Sequence, residues 1–326
     1  MYRRLADHGA VATLTATCAA MHFAVDGLCL CCLYLMAAGG SAEALVGVFV
    51  VYNVMAFLTQ PLTGLMADRL RWPHSQLLAA IAMLALAVPL ATAVVVVPAL
   101  SVVRWAVLAV ALLLGMGNSM FHVWGGRLVA LRSANDMRAL GVFVATGAFG
   151  LAVAAVLCSW WLLYVLLVAL VALAACVVTM TGDGSCADCV SSGSGRSGVY
   201  AWAVVAIMLF VMLRSFLAES FAAPVDKSPA VVLVVGLVAM LGKMAGGWLG
   251  RWLGVAGALA LVAVLVAACG LLRGGGMPVL LAGLFAVNST MPLTLYLANV
   301  VLKGREGLAF GLLAAALMPG YLLAVL

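Results

Sequence analysis

Two pairs of polar side chains lie four residues apart inside otherwise apolar stretches: His22 with Asp26, which can hold or pass a proton, and Asn118 with His122, which can bond between helices or line a cavity. Four residues of helix turn through about 400°, so the members of each pair share a face, about 40° apart. An imidazole beside a carboxylate can store a proton or hand it on, because desolvation and the neighbouring charge pull its titration in opposite senses. The competing reading is a hydrogen-bonded pair that only fixes helix packing. Arg214 stands alone as a cation in mid-stretch, where it could pair with Asp26 or hold an anionic substrate. Lys243 lies nearer a stretch end and could reach the interface by snorkelling. The run Asn288-Ser289-Thr290-Met291-Pro292-Leu293-Thr294 suggests either a locally unwound helix facing substrate or a proline kink satisfied by its own hydroxyls. Asn53 and Gln60, seven apart on one face, read as interhelical glue.

The elements that carry these residues are membrane spans. Of the 326 residues, 67% are hydrophobic and 8% charged. Mean hydropathy is +1.28. Globular chains are only about 45–50% apolar. Apolar stretches of about 20 residues match a hydrocarbon layer about 30 Å thick at 1.5 Å per residue. No alternating strand pattern is present, so the spans are helical. Eleven are read: 11–37, 43–67, 75–98, 102–124, 139–158, 160–180, 200–222, 229–250, 254–272, 277–302 and 306–326. Intramembrane charge and imidazole avoid the third, sixth and ninth, as expected where some helices line a pathway and others face lipid.

Loop charge sets the orientation. With the N-terminus in the cytoplasm, Arg3, Arg4, Arg69, Arg71, Arg127, Arg132, Arg138, Arg196, Arg251, Lys303 and Arg305 fall inside, against Arg104, Lys227 and Arg273 outside. The net charge of +6 is thereby explained without nucleic acid. The first span is too long and too polar to be a cleaved signal segment. Residues 181–199, rich in Gly, Ser and Asp, read as a cytoplasmic linker. It divides an N-terminal bundle of six helices, 1–180, from a C-terminal bundle of five, 200–326. A Gly followed five residues later by Arg ends the second span of each half, at Gly64–Arg69 and Gly246–Arg251, an echo of duplication.

This layout resembles the major facilitator superfamily, and Gly64-Leu65-Met66-Ala67-Asp68-Arg69 is similar to its loop signature between helices two and three. The resemblance implies that Gly64, Asp68 and Arg69 gate the cytoplasmic side, and that helices one, four, seven and ten line the cavity. A narrower resemblance is to the fosmidomycin-resistance-type efflux branch. It is carried by His22 and Asp26 on span one and by Gly115-Met116-Gly117-Asn118-Ser119-Met120-Phe121-His122 on span four, with Arg127, Gly147 and Gly150 in register. The chain has Val123-Trp124 where that branch has Pro, and eleven spans where the family has twelve. The count leaves open a further helix beyond Leu326 or a C-terminus outside the cell.

Together these observations lead us to expect an all-α polytopic membrane protein with a two-bundle, major-facilitator-like fold. It would be a monomeric secondary transporter of the inner or plasma membrane, most simply exporting a small organic compound against protons. His22 and Asp26 would couple protons, and Asn118, His122, Arg214 and Asn288 would line the substrate cavity. No resident cofactor is called for. The rival expectations are organic-anion uptake through Arg214, soft-metal-cation transport along Cys18, His22, Asp26 and Cys29, and an intramembrane lipid-handling enzyme. Against the last, the chain has neither a metal-binding H-E-x-x-H motif nor a nucleophile elbow. Cys186 and Cys189 form a single C-x-x-C, too little alone for a zinc site.

Overall fold

The structure is a computed structural model that describes residues 2–37, 42–70, 73–97, 104–182 and 201–325. The linker 183–200, with Cys186, Cys189 and Arg196, lies outside the described residues, as do Arg71 and the side chains of Arg3, Arg4 and Arg104. The described residues form helices and turns with no strand. This is what apolar solvent demands of a backbone whose polar groups must pair within the segment.

Ten helical runs are long and apolar enough to cross a membrane. One of them, Pro229–Leu271, has 43 residues and would reach about 65 Å if straight, twice the hydrocarbon thickness. At Gly254 the backbone leaves the helix at φ 70°, ψ 167°, a conformation that a residue without Cβ adopts freely. This break separates spans eight and nine, so the described residues make eleven crossings. The chain is a multi-pass α-helical membrane protein.

Two spans are interrupted where the chemistry lies. Span two runs Ala42–Asn53, a π turn Val54–Leu58, then Gln60–Arg69. The Thr59 hydroxyl donates to Met55 O and to Ser119 Oγ, tying the loosened turn to span four. Span ten is Met277–Asn288 followed by Thr290–Val301. There Ser289 Oγ donates to Ala286 O (2.7 Å) and Thr290 Oγ1 to Val287 O (2.8 Å). The hydroxyls at this kink thus bond back into their own helix.

In the N-terminal half, span one (Tyr2–Ala37) packs on spans five (Met137–Leu157), six (Trp160–Thr181) and four (Arg104–Arg132). Span three (Pro73–Val96) lies against span four. In the C-terminal half, span seven (Ala201–Ala222) packs on spans ten and eleven (Glu306–Val325). The halves meet along two seams, span five against span eight and span two against span eleven. Spans six and nine turn large apolar side chains outward, such as Trp161, Val168 and Val264, each at least 66% exposed. Among them lies no described charge, consistent with a lipid-facing position.

Candidate functional site

Span one presents His22 and Asp26 towards span four, whose Asn118 and His122 come down to meet them. His22 Nε2 lies 3.3 Å from Asp26 Oδ2 and His122 Nε2 lies 3.4 Å from Asp26 Oδ1. The two Nε2 atoms are 2.8 Å apart, with the rings edge to face at 87°. Asn118 Nδ2 donates to Asp26 Oδ1 at 3.1 Å. The two i, i+4 pairs are therefore one cluster. Its side chains are largely buried but not sealed, Asp26 at 14% and His122 at 12% exposed.

The outer nitrogens fix the tautomers. His22 Nδ1 donates to the Phe143 carbonyl (2.7 Å), and His122 Nδ1 donates to the Asn118 carbonyl (2.9 Å). A backbone carbonyl only accepts, so both Nδ1 atoms carry hydrogen. A neutral ring of that tautomer presents a bare lone pair at Nε2. Two lone pairs facing one another at 2.8 Å repel, and a single proton between them, with the Asp26 carboxylate as its counter-charge, would satisfy both rings.

Span five makes the room. A Cβ placed on Gly147 would fall on Asp26 Oδ2 and His22 Nε2. Thr146, next to it, donates its hydroxyl to Ala19 O and anchors span five to span one. Phe143, one turn earlier, supplies the carbonyl that orients His22 and stacks on its ring at 5.0 Å.

His22, Asp26 and His122 also place one ligand atom each within 4.8 Å of one another, a spacing that a cation other than the proton could bridge. Cys18 and Cys29 are not part of that group among the described residues. Cys29 Sγ points instead to Leu114 O, and Asn118 Nδ2 donates to it.

The remaining expected cavity residues lie in the other half. Arg214 on span seven is 5% exposed and is not paired with Asp26. Its Nε and Nη2 are buried without hydrogen-bond partners. Lys243 on span eight is half-buried and close enough to feel the charges of both Arg214 and Asp26. Asn288 is buried, donates to Leu284 O, and sits where a Cβ on Gly242 would touch it.

At the end of the molecule holding most of the loop arginines, the halves are pressed together. Asp68 accepts from Gly307 N (2.9 Å) and Leu308 N (2.9 Å), the first turn of span eleven. It also accepts from Arg127 Nε at 3.0 Å. An anion against the unsatisfied N–H groups of a helix start is a favourable arrangement. A Cβ on Gly64 would strike the Gly307 carbonyl, so only glycine permits this approach. Arg69 is exposed and has no ion pair among the described residues. Sequence reasoning placed the latch cation one residue beyond Asp68, whereas the structure supplies it from span four. Asn135 and Asn299 add a second bridge at this end: Asn299 Nδ2 donates to Asn135 Oδ1 (2.8 Å) and Asn135 Nδ2 to Tyr296 O (3.3 Å). Crevices lie at both ends: one of about 760 Å³ at the arginine-rich end, beside Thr15, Arg132, Arg138 and Trp248, and one of about 480 Å³ at the opposite end, lined by Tyr34, Ala155 and Val156 on one side and Lys227, Val232 and Val235 on the other.

No known family profile matches the chain, and no curated protein does. Solved structures do match over nearly its whole length. A bacterial homologue of the iron transporter ferroportin in the outward-facing state superposes with a TM-score of 0.71 at 12% identity, over 96% of this chain and 90% of that one. The human organic anion transporter MFSD10 (TETRAN) gives 0.68 at 16%, over 97% and 92%. FucP, a major facilitator superfamily transporter in the outward conformation, gives 0.67 at 13%, over 96% and 89%. The E. coli form of FucP is a fucose:proton symporter. The chain shares its fold with these transporters.

Proposed function

We propose that the chain is a secondary transporter that moves a small organic compound by alternating access, and that His22, His122 and Asp26 hold the coupled proton. The observation that carries this reading is the 2.8 Å contact between two Nε2 atoms whose rings already spend their Nδ1 hydrogens on backbone carbonyls. Such a site is complete with one proton and frustrated without it, which is the property a coupling site needs. Its position on spans one and four, with Arg214 and Lys243 on spans seven and eight of the other half, supports this reading. Transporters of this fold include a fucose:proton symporter, which supports proton coupling without fixing it.

In this reading Gly64, Asp68 and Arg127 form a gate at the arginine-rich end, which the loop charges favour as the cytoplasmic one. The protein would act as a monomer in the plasma membrane. Export, with protons entering as the compound leaves, is the direction implied by the efflux-branch resemblance. Uptake of an organic anion is a second reading, favoured by the unpartnered Arg214.

The test is reconstitution into vesicles carrying an internal pH dye. Candidate compounds are added under an imposed pH gradient. Compound-driven proton movement that disappears in Asp26→Asn supports the assignment, and the sign of the movement gives the direction. Proton movement unchanged in Asp26→Asn removes the triad from the mechanism.

A further inference from the structure

One buried cation in the C-terminal half has nothing to neutralise it. Arg214 is 95% shielded, since its relative exposure is 5%, yet Nε and Nη2 meet no acceptor. Buried guanidinium N–H groups left unmet are rare, because each forfeits hydration without recovering a bond. A second cation, Lys243, approaches from span eight close enough for the two like charges to repel. Among the described residues no carboxylate lies at ion-pair distance from either. Asp26, whose charge reaches Lys243, is already committed to His22, His122 and Asn118, and Glu219, on the same helix as Arg214, makes no ion pair with it among the described residues. The buried guanidinium of Arg214 therefore lacks a negative partner among the described residues. An occupant of negative charge would supply it.

We propose that Arg214 and Lys243 form the substrate's binding site and that the substrate is a small organic anion. Its anionic oxygens would take the two free N–H groups of Arg214, a planar fork suited to carboxylate or phosphate. Lys243 would add a point charge from the facing helix. The inference rests on reading the chain as an alternating-access transporter. It does not depend on the triad carrying the proton.

The experiment uses the full-length protein in detergent and three probes of one shape: benzoate, phenyl phosphate and the neutral benzamide. Chloride is held constant. The thermal unfolding midpoint is followed as each probe is titrated, since a ligand that binds only the folded state raises it with concentration. Benzoate or phenyl phosphate is expected to raise the midpoint while benzamide does not, and the comparison of the two anions separates carboxylate from phosphate chemistry. Arg214→Gln should weaken the anion's apparent affinity by about a hundredfold. Lys243→Gln should weaken it by about tenfold, which keeps the test alive if the first variant does not fold. The proton assignment is read separately, by proton movement in vesicles carrying Asp26→Asn, so that its failure and the failure of the anion site appear in different measurements. Anions that stabilise no better than benzamide overturn the proposal. So does an undiminished shift in either Arg214→Gln or Lys243→Gln.

Discussion

Replacing Asp68 by Asn separates the gate from the scaffold. Asp68 makes three charge-assisted contacts, but only those to Gly307 N and Leu308 N cross between the halves. The contact from Arg127 joins spans two and four of the same half and persists when the halves part. Charge-assisted hydrogen bonds are worth about 1.5–3 kcal/mol each and a neutral one about 1. Asn keeps a single acceptor for the two crossing N–H groups, so closure at this end weakens by about 2–5 kcal/mol. Each 1.4 kcal/mol is about tenfold, so the open-to-closed ratio rises by about 30- to 4,000-fold. The assay is a spin-label distance distribution between positions 132 and 303, both exposed at this end, in a background without reactive cysteines. The variant should gain a longer-distance population that the parent lacks. Arg127→Gln, by contrast, should lower thermal stability and leave the distances largely as they were. An unchanged distribution in Asp68→Asn would refute the latch.

Other outcomes follow from the same contacts. Gly147→Ala puts a methyl group onto Asp26 Oδ2 and His22 Nε2, and should abolish compound-driven proton flux in vesicles while leaving the protein folded on size-exclusion chromatography. Arg214→Met removes a buried cation with unmet N–H groups, so the ligand-free midpoint should rise by a few degrees even as transport is lost. Asp136 caps span five by accepting from Arg138 N at 2.8 Å, so Asp136→Ala should cost about 1 kcal/mol in detergent unfolding. The hydrogen bond from the Arg138 side chain holds the Asp136 carboxyl below its ordinary value. Its stabilisation is therefore present in full above the ordinary carboxylate pKa of about 4, and the wild-type advantage over Asp136→Ala should fade only as pH drops below that.

Much of the fold was legible because lipid leaves few choices. Span lengths follow from hydrocarbon thickness, and even the break between spans eight and nine was visible as charge and glycine around Arg251 and Gly254. The π turn in span two was not, since Thr59 and Thr63 compensate it through Ser119 of another helix. Each polar pair could be read from i, i+4 spacing, but their meeting could not, because it depends on how spans one and four pack. Gly147 left only a faint trace, being one small residue among many. Arg127 was missed as the partner of Asp68 for a geometrical reason. Adjacent residues on a helix point about 100° apart, so Arg69 cannot follow Asp68 into the seam, while a residue on span four can.

The shared proton itself is the measurement that bears hardest on this account. The chain has only four histidines, so ring nitrogen-15 resonances of the detergent-solubilised protein can be assigned by substitution. The account predicts that His22 and His122 both carry hydrogen at Nδ1 and share one proton at Nε2, and that His122→Gln removes the shared signal and returns His22 to a neutral ring. Two independently neutral rings in the wild type, unaltered by Asp26→Asn, would contradict it.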